Sequence, residues 1–142
     1  MECNKILVPV VGTEADERAM ELANKLLAKK NKGIVCAVHV ISIERTLPLE
    51  TEIESEISKA EDILDHIESI AGEQGCKIET DLLQAREAGP AIIDEAVERE
   101  ADLIIIGVGY KKRFGEFSLG DVVPHVLKNA PCRVLVYYQP AI

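Results

Sequence analysis

No apolar run in this chain is long enough to cross a bilayer. The longest, Leu103-Ile104-Ile105-Ile106, falls far short of the roughly 20 residues a spanning helix needs. Cations are scarce: 16 Lys and Arg stand against 25 Asp and Glu, a formal net charge of -9. A phosphate backbone or an anionic membrane surface gains nothing from such a chain, so neither nucleic acid nor membrane is an expected partner. The opening residues, Met1-Glu2-Cys3-Asn4-Lys5, carry no basic n-region and no cleavage signal, and a cytoplasmic location is expected. The four cysteines (Cys3, Cys36, Cys76, Cys132) form no C-x-x-C, which argues against a zinc knuckle and a thioredoxin-like motif. Cys36 and Cys132 lie inside apolar strand patterns, where Cys acts as a small hydrophobe, so reduced structural thiols are expected. His39, His66 and His125 are far apart and show no metal spacing. His39 reads as a core or strand-end residue. A P-loop and a G-x-S-x-G elbow are both missing. No catalytic residue is expected.

What remains is the composition of a globular protein, 47% apolar and 29% charged, in 142 residues. That length is one domain's worth, enough to bury a sizeable core. Five strand-like runs alternate with four helical patterns. The first strand is Lys5 to Val10, whose near-continuous apolar run suits burial on both faces of a parallel sheet. Gly12-Thr13 breaks it. Thr13 can cap a helix with Asp16 as its third residue. That helix carries Ala15, Ala19, Leu22, Ala23, Leu26 and Leu27 at helical spacing, and Lys29 to Gly33 is expected to end it.

The second strand is Ile34 to Ile41, followed by a loop from Ser42 to Thr51. A long helix from about Glu52 to Gly72 presents Ile53, Ile57, Ala60, Leu64, Ile67 and Ala71. In the third strand, Cys76 to Leu83, charged residues alternate with apolar ones, so one face is expected to be wet and the strand to lie at an edge. Gly89-Pro90 opens the next helix. Asp102 to Ile106 is the fourth strand, ending at Gly107, and a glycine-bearing loop follows. A last helix from about Val122 to Lys128 is stopped by Asn129-Ala130-Pro131, and Cys132 to Tyr138 is the fifth strand. Alternating β and α elements with short connections imply an open parallel sheet covered by helices on both faces. Ligands bind such sheets at the carboxyl ends of the strands, where the winding reverses. Here those ends are Pro9-Val10-Val11-Gly12 and Gly107 onward.

Ile6-Leu7-Val8-Pro9, Ala37-Val38-His39-Val40, Gly89-Pro90-Ala91, Asp102 to Gly107, and Asn129-Ala130-Pro131-Cys132-Arg133-Val134-Leu135-Val136 together resemble the universal stress proteins, in the right order over the whole chain. The resemblance implies a single-domain, adenine-nucleotide alpha-hydrolase-like α/β fold of five parallel strands in the order 3-2-1-4-5. It also implies a small regulatory or binding module with an adenine-nucleotide pocket. The residues expected there are Pro9, Val10, Val11 and Val40, with Ile106, Gly107, Gly109 and Tyr110 after them. Gly120, Asp121, Val122 and Val123 complete the set. ATP-binding members carry G-x2-G-x9-G-S/T after the fourth strand. Gly107 and Gly120 keep the outer spacing, but Tyr110 replaces the inner glycine and Asp121 the phosphate-binding Ser or Thr. Nucleotide-binding relatives hold the ribose with an Asp where this chain has Val11. The S-G-G-x-D-S and H-x-G-H signatures of related enzymes are missing.

These departures have a chemical meaning. Phosphates sit on backbone amides at a helix N-terminus, with glycines allowing close approach. Asp121 is expected to cap the last helix through its carboxylate, competing for amides that Pro124 already makes scarce. It also sets a negative charge beside any phosphate, at a cost of several kcal/mol unless a cation such as Mg²⁺ intervenes. Val11 leaves a buried ribose hydroxyl unpaired, worth roughly 1–3 kcal/mol. Against this, Lys111-Lys112-Arg113 places cations just after the fourth strand, either to meet a polyphosphate or as a solvated loop. The fifth strand is apolar on both faces at a sheet edge, an aggregation hazard that a second copy would cover. The same strand commonly joins universal stress proteins as dimers, so the resemblance implies a homodimer through Cys132 to Tyr138. The alternatives are a nucleotide-independent interaction module with an unknown protein partner and, behind it, an enzyme of adenylate chemistry.

Overall fold

The apolar runs at Ile6 to Val8 and Leu103 to Ile106 become strands buried from two sides. The computed structural model describes residues 3–28, 32–109 and 120–140, and the backbone of 112–113 and 116–117. The elements in chain order are β1 (Lys5–Pro9), α1 (Glu14–Leu26), β2 (Ile34–Ser42), α2 (Glu54–Glu73), β3 (Ile78–Ala85), α3 (Ala88–Glu98), β4 (Leu103–Gly109), β5 (Lys112–Arg113), β6 (Glu116–Phe117), α4 (Val122–Asn129) and β7 (Arg133–Gln139). Five strands form one parallel sheet in the order β3-β2-β1-β4-β7, the expected 3-2-1-4-5. Strand side chains alternate between faces. Accordingly Ile6, Val8, Leu103 and Ile105 pack under α1 and α2, with Ala19, Met20, Leu64 and Ile67. Leu7, Cys36, Ile104 and Ile106 pack under α3 and α4, with Ile92, Ala96, Val123 and Val126.

Three expectations need correction. The helix α1 stops at Leu26, ahead of the cationic stretch, and only Lys25 lies in its last turn. Leu27 turns extended and bridges to Cys3, whose amide donates to the Leu26 carbonyl and whose carbonyl accepts from Ala28. A pairing with the chain's opening residues, invisible to local propensity, overrides the helix. Second, the charged face of β3 is not simply wet. Arg99, at the end of α3, reaches Glu79 at 2.8 Å, Asp81 at 3.5 Å and Glu95 at 3.1 Å. Glu95 is buried, which pushes its carboxyl above the usual Glu range, and the neighbouring Asp81 adds to the shift. Third, the segment after β4 holds a two-stranded antiparallel hairpin, β5–β6, pairing Lys112 with Phe117 and Arg113 with Glu116.

Among the described residues no disulfide links the four cysteines. Burial pushes the Cys36 thiol up to about 12, which leaves it an inert core group at neutral pH. No helix among the described residues is long and apolar enough to cross a membrane.

Candidate functional site

A cleft opens where β1 and β4 part company. The two strands pair only at Ile6↔Leu103 and Leu7↔Ile104. Pro9 supplies a local reason. The Val10 amide donates to Val38 in β2, so the preceding residue's nitrogen faces β4, and a proline has no hydrogen there to continue the ladder. Beyond this point lies a cavity of about 240 Å³. It is lined by Pro9, Val10, Val11, Val40, Ile106, Gly107, Gly109, Gly120, Asp121, Val122 and Val123. These are the residues the sequence nominated, apart from Tyr110, which lies outside the described residues. The sequence reading missed Thr13, Val38, Ala88, Ile92 and Val108, which line the same cavity. Simple periodicity would have found three of them. Val38 shares a strand face with Val40, and Ala88 and Ile92 are one helical turn apart.

The β1–α1 turn forms one wall. Gly12 adopts φ 96°, a conformation that favours glycine, and lets three consecutive amides turn toward one point. That point is a carboxylate oxygen. Asp16 Oδ2 accepts from the amides of Val11 at 3.0 Å, Gly12 at 2.6 Å and Thr13 at 3.0 Å. Asp16 is only 1% exposed, and its Oδ1 has no hydrogen-bond partner among the described residues. Burial pushes this carboxyl above the usual Asp range, against the downward pull of the three amides. The arrangement exceeds the capping box expected from Thr13 and Asp16. The side chain clamps the whole turn. His39 adds a second fastening, with Nδ1 2.8 Å from the Val10 carbonyl oxygen, an arrangement in which the ring nitrogen donates.

The opposite wall is the start of α4. Asp121 is the N-cap residue, as expected, but makes no capping hydrogen bond through its side chain. Its backbone explains why. At φ -95° and ψ -26° it is already helical, whereas a capping side chain needs an extended backbone to reach forward. The expectation that its carboxylate caps the helix amides is therefore corrected. His66 and His125 lie elsewhere: His66 Nε2 is 2.6 Å from Glu17, and His125 packs beside Gly89. No group of three potential metal ligands occurs among the described residues. A second cavity, of about 280 Å³, opens at the amino ends of the strands beside Lys5, Ile34 and Arg99. It lies away from the winding reversal, and its arginine is already held by three carboxylates.

Residues 2–137 match the model of the universal stress protein family. The chain belongs to that family. A curated universal stress protein of Methanocaldococcus jannaschii is 32% identical over 96% of this chain and 82% of its own length. A universal stress protein structure from Archaeoglobus fulgidus superposes with a TM-score of 0.73 at 27% identity, covering 96% of this chain and 94% of the other. Another from that organism, in complex with dAMP, has a TM-score of 0.73 at 25% identity, covering 96% and 98%.

As a universal stress protein the chain fits an adenine nucleotide unevenly. The apolar floor of Val10, Val38, Val40 and Ile106 suits a flat base. The rest of the described lining offers less to a sugar or a phosphate. Val11 is 58% exposed and offers no acceptor for a sugar hydroxyl. Among the described lining residues only Thr13 and Asp121 carry polar side chains, and none is a cation.

Proposed function

We propose that this universal stress protein is a small dimeric regulatory module of the cytoplasm that takes an adenine nucleotide weakly in the cleft between β1 and β4. The observation that carries the reading is the place of that cleft: an apolar cavity at the carboxyl ends of two central strands, where the winding reverses. The dAMP complex of a similar protein supports the choice of ligand. Bound nucleotide would stabilise one arrangement of the segments at 42–51 and 108–120 for a protein partner to read. Mg²⁺ would bridge Asp121 to a phosphate. The carboxylate at 121 favours a second reading, a nucleotide-independent interaction module. Mass spectrometry of denatured purified protein separates them. Co-purifying ATP or AMP supports the first, and empty protein with no thermal shift under ATP and Mg²⁺ supports the second.

The dimer would form through β7. Val134, Leu135, Val136 and Tyr137 are each half-buried in the single chain and Tyr138 is 38% exposed. Among the described strands it pairs with β4 and stands last in the sheet order. An open edge with apolar residues on both faces invites a second copy about a two-fold axis. Light scattering at micromolar concentration is expected to return the mass of two subunits. A mass of one subunit would refute the dimer.

A further inference from the structure

One cation holds three carboxylates at the seam between α3 and β3. Arg99 follows the last residue of α3, and its guanidinium reaches Glu79 at 2.8 Å, Asp81 at 3.5 Å and Glu95 at 3.1 Å. Among the described residues no second cation pairs with any of the three. When all are ionised, one positive charge faces three negative ones. Glu79 is exposed and shares its charge with water, whereas Glu95 is 6% exposed and does not. Asp81 lies within hydrogen-bonding reach of the same Glu95 carboxyl. Two ionised carboxylates at that separation repel, and one proton between them turns the repulsion into a hydrogen bond. The surrounding groups leave this imbalance in place. From β2, Cys36 faces the cluster with a thiol that is uncharged at neutral pH. Arg45 and Arg86 line a groove with Glu95, but Glu87, Asp94 and Glu98 line it too. Arg45 pairs with Glu87, and Arg86 donates to the carbonyls of Glu44 and Leu47. From α4, His125 packs against Gly89 at the far end of α3, and Lys128 is exposed.

We infer that Glu95 is a proton-operated latch between α3 and β3, which closes as the pH falls and loosens as it rises. Burial raises the proton affinity of this carboxyl and Asp81 raises it further, against the pull of Arg99. The folded chain therefore holds the proton more tightly than the unfolded chain does. The stability that the latch gives is full below the ordinary Glu range, and it is lost as the pH rises through the raised value. Arg99 and Glu79 also wall the cavity of about 280 Å³ that Cys36 lines. Cys36 is 3% exposed, so loosening of this wall is what would bring its thiol to solvent.

The test compares the full chain with Glu95→Gln by thermal melts from about pH 4, near the ordinary Glu value, to about pH 8. Glutamine has the shape of the protonated acid, donates to Asp81, accepts from Arg99 and cannot ionise. The two chains are expected to melt together at the acid end. As the pH rises the variant is expected to melt increasingly higher than the parent, by about 2 °C or more at the alkaline end. Labelling by an acid-tolerant pyridyl disulfide, located on Cys36 by mass spectrometry, reads the seam itself. Thiolate formation in the opened state speeds labelling in both chains, so the readout is the ratio of parent to variant, which is expected to rise several-fold with pH. A melting gap that stays constant, or a parent that gains on the variant as the pH rises, would overturn the latch. A melting gap that opens with no change at Cys36 would overturn the movement of the seam. The Glu95 carboxyl of the parent, followed by carbon-13 NMR, is expected to titrate above the ordinary Glu range. A midpoint within that range would overturn the inference whether or not the variant folds.

Discussion

Changing Val11→Asp, Tyr110→Gly and Asp121→Ser together is expected to raise ATP affinity tenfold or more. The gain required is modest, because about 1.4 kcal/mol is a factor of ten. Each change supplies something the cleft lacks. An Asp at 11 provides a carboxylate to accept from the ribose hydroxyls, and an unpaired hydroxyl alone costs roughly 1–3 kcal/mol. Position 11 is 58% exposed at the cleft rim, so the new carboxylate meets water and little desolvation. Its amide stays bonded to Asp16, so the turn keeps its shape. Ser at 121 removes the charge beside the first amides of α4 and adds a hydroxyl donor. Gly at 110 restores the family's inner glycine in the segment leaving β4. Titration of the variant and the parent with ATP and Mg²⁺ checks this, and unchanged affinity would mean that the pocket is elsewhere.

The departures at 11, 110 and 121 were legible because they are substitutions within a pattern. So was the sheet. Ile6-Leu7-Val8 and Leu103 to Ile106 are apolar at every position because both faces carry helices, and the structure divides them between two core clusters as alternation requires. The charged third strand and the two-faced fifth lie at the edges. What stayed hidden depends on contacts distant in sequence or on backbone angles. Thr13 and Asp16 spell a capping box, but the spacing does not reveal that Asp16 is buried and collects three amides. Asp121 reads as a helix cap, yet its backbone angles deny its side chain that role. Leu27 continues the helical stripe of α1 by its spacing, and only its bridge to Cys3 explains why the helix has already ended. The β3 boundaries moved by two residues for a similar reason. Pairing with β2 carries the strand out to Ser42↔Ala85, beyond the stretch where charge alternates.

Gly107→Ala is expected to destabilise the fold by about 3 kcal/mol, near the top of the range for overpacked sites. A Cβ at residue 107 would stand 2.2 Å from the Ala15 carbonyl oxygen and 2.6 Å from its carbonyl carbon. Both obstacles are backbone, so no rotamer change relieves them. Neither side has room to retreat. On β4, Gly107 is registered against Tyr137 of β7. On α1, Ala15 adjoins Asp16, whose carboxylate fastens the turn from Val11 to Thr13. A shift large enough to admit one methyl group must break a strand register or the amide clamp. Gly109 provides the control two residues along the same strand, because a Cβ there meets no described residue within 4 Å. Gly109→Ala should be neutral or slightly stabilising, by up to about 1 kcal/mol, through lost freedom of the unfolded chain. At roughly 2.1 cal/mol/K per residue, the first change should lower the melting temperature by about 10 °C. Thermal melts of the two variants in parallel decide the matter. Equal melting temperatures would mean that α1 and β4 are not in contact at Gly107, and the cleft wall that they build together would have to be redrawn. If the two diverge as expected, this glycine is there because the first turn of α1 must press directly against the end of β4. That contact brings the Asp16-clamped turn to the mouth of the cleft and so sets the charge that an incoming ligand meets.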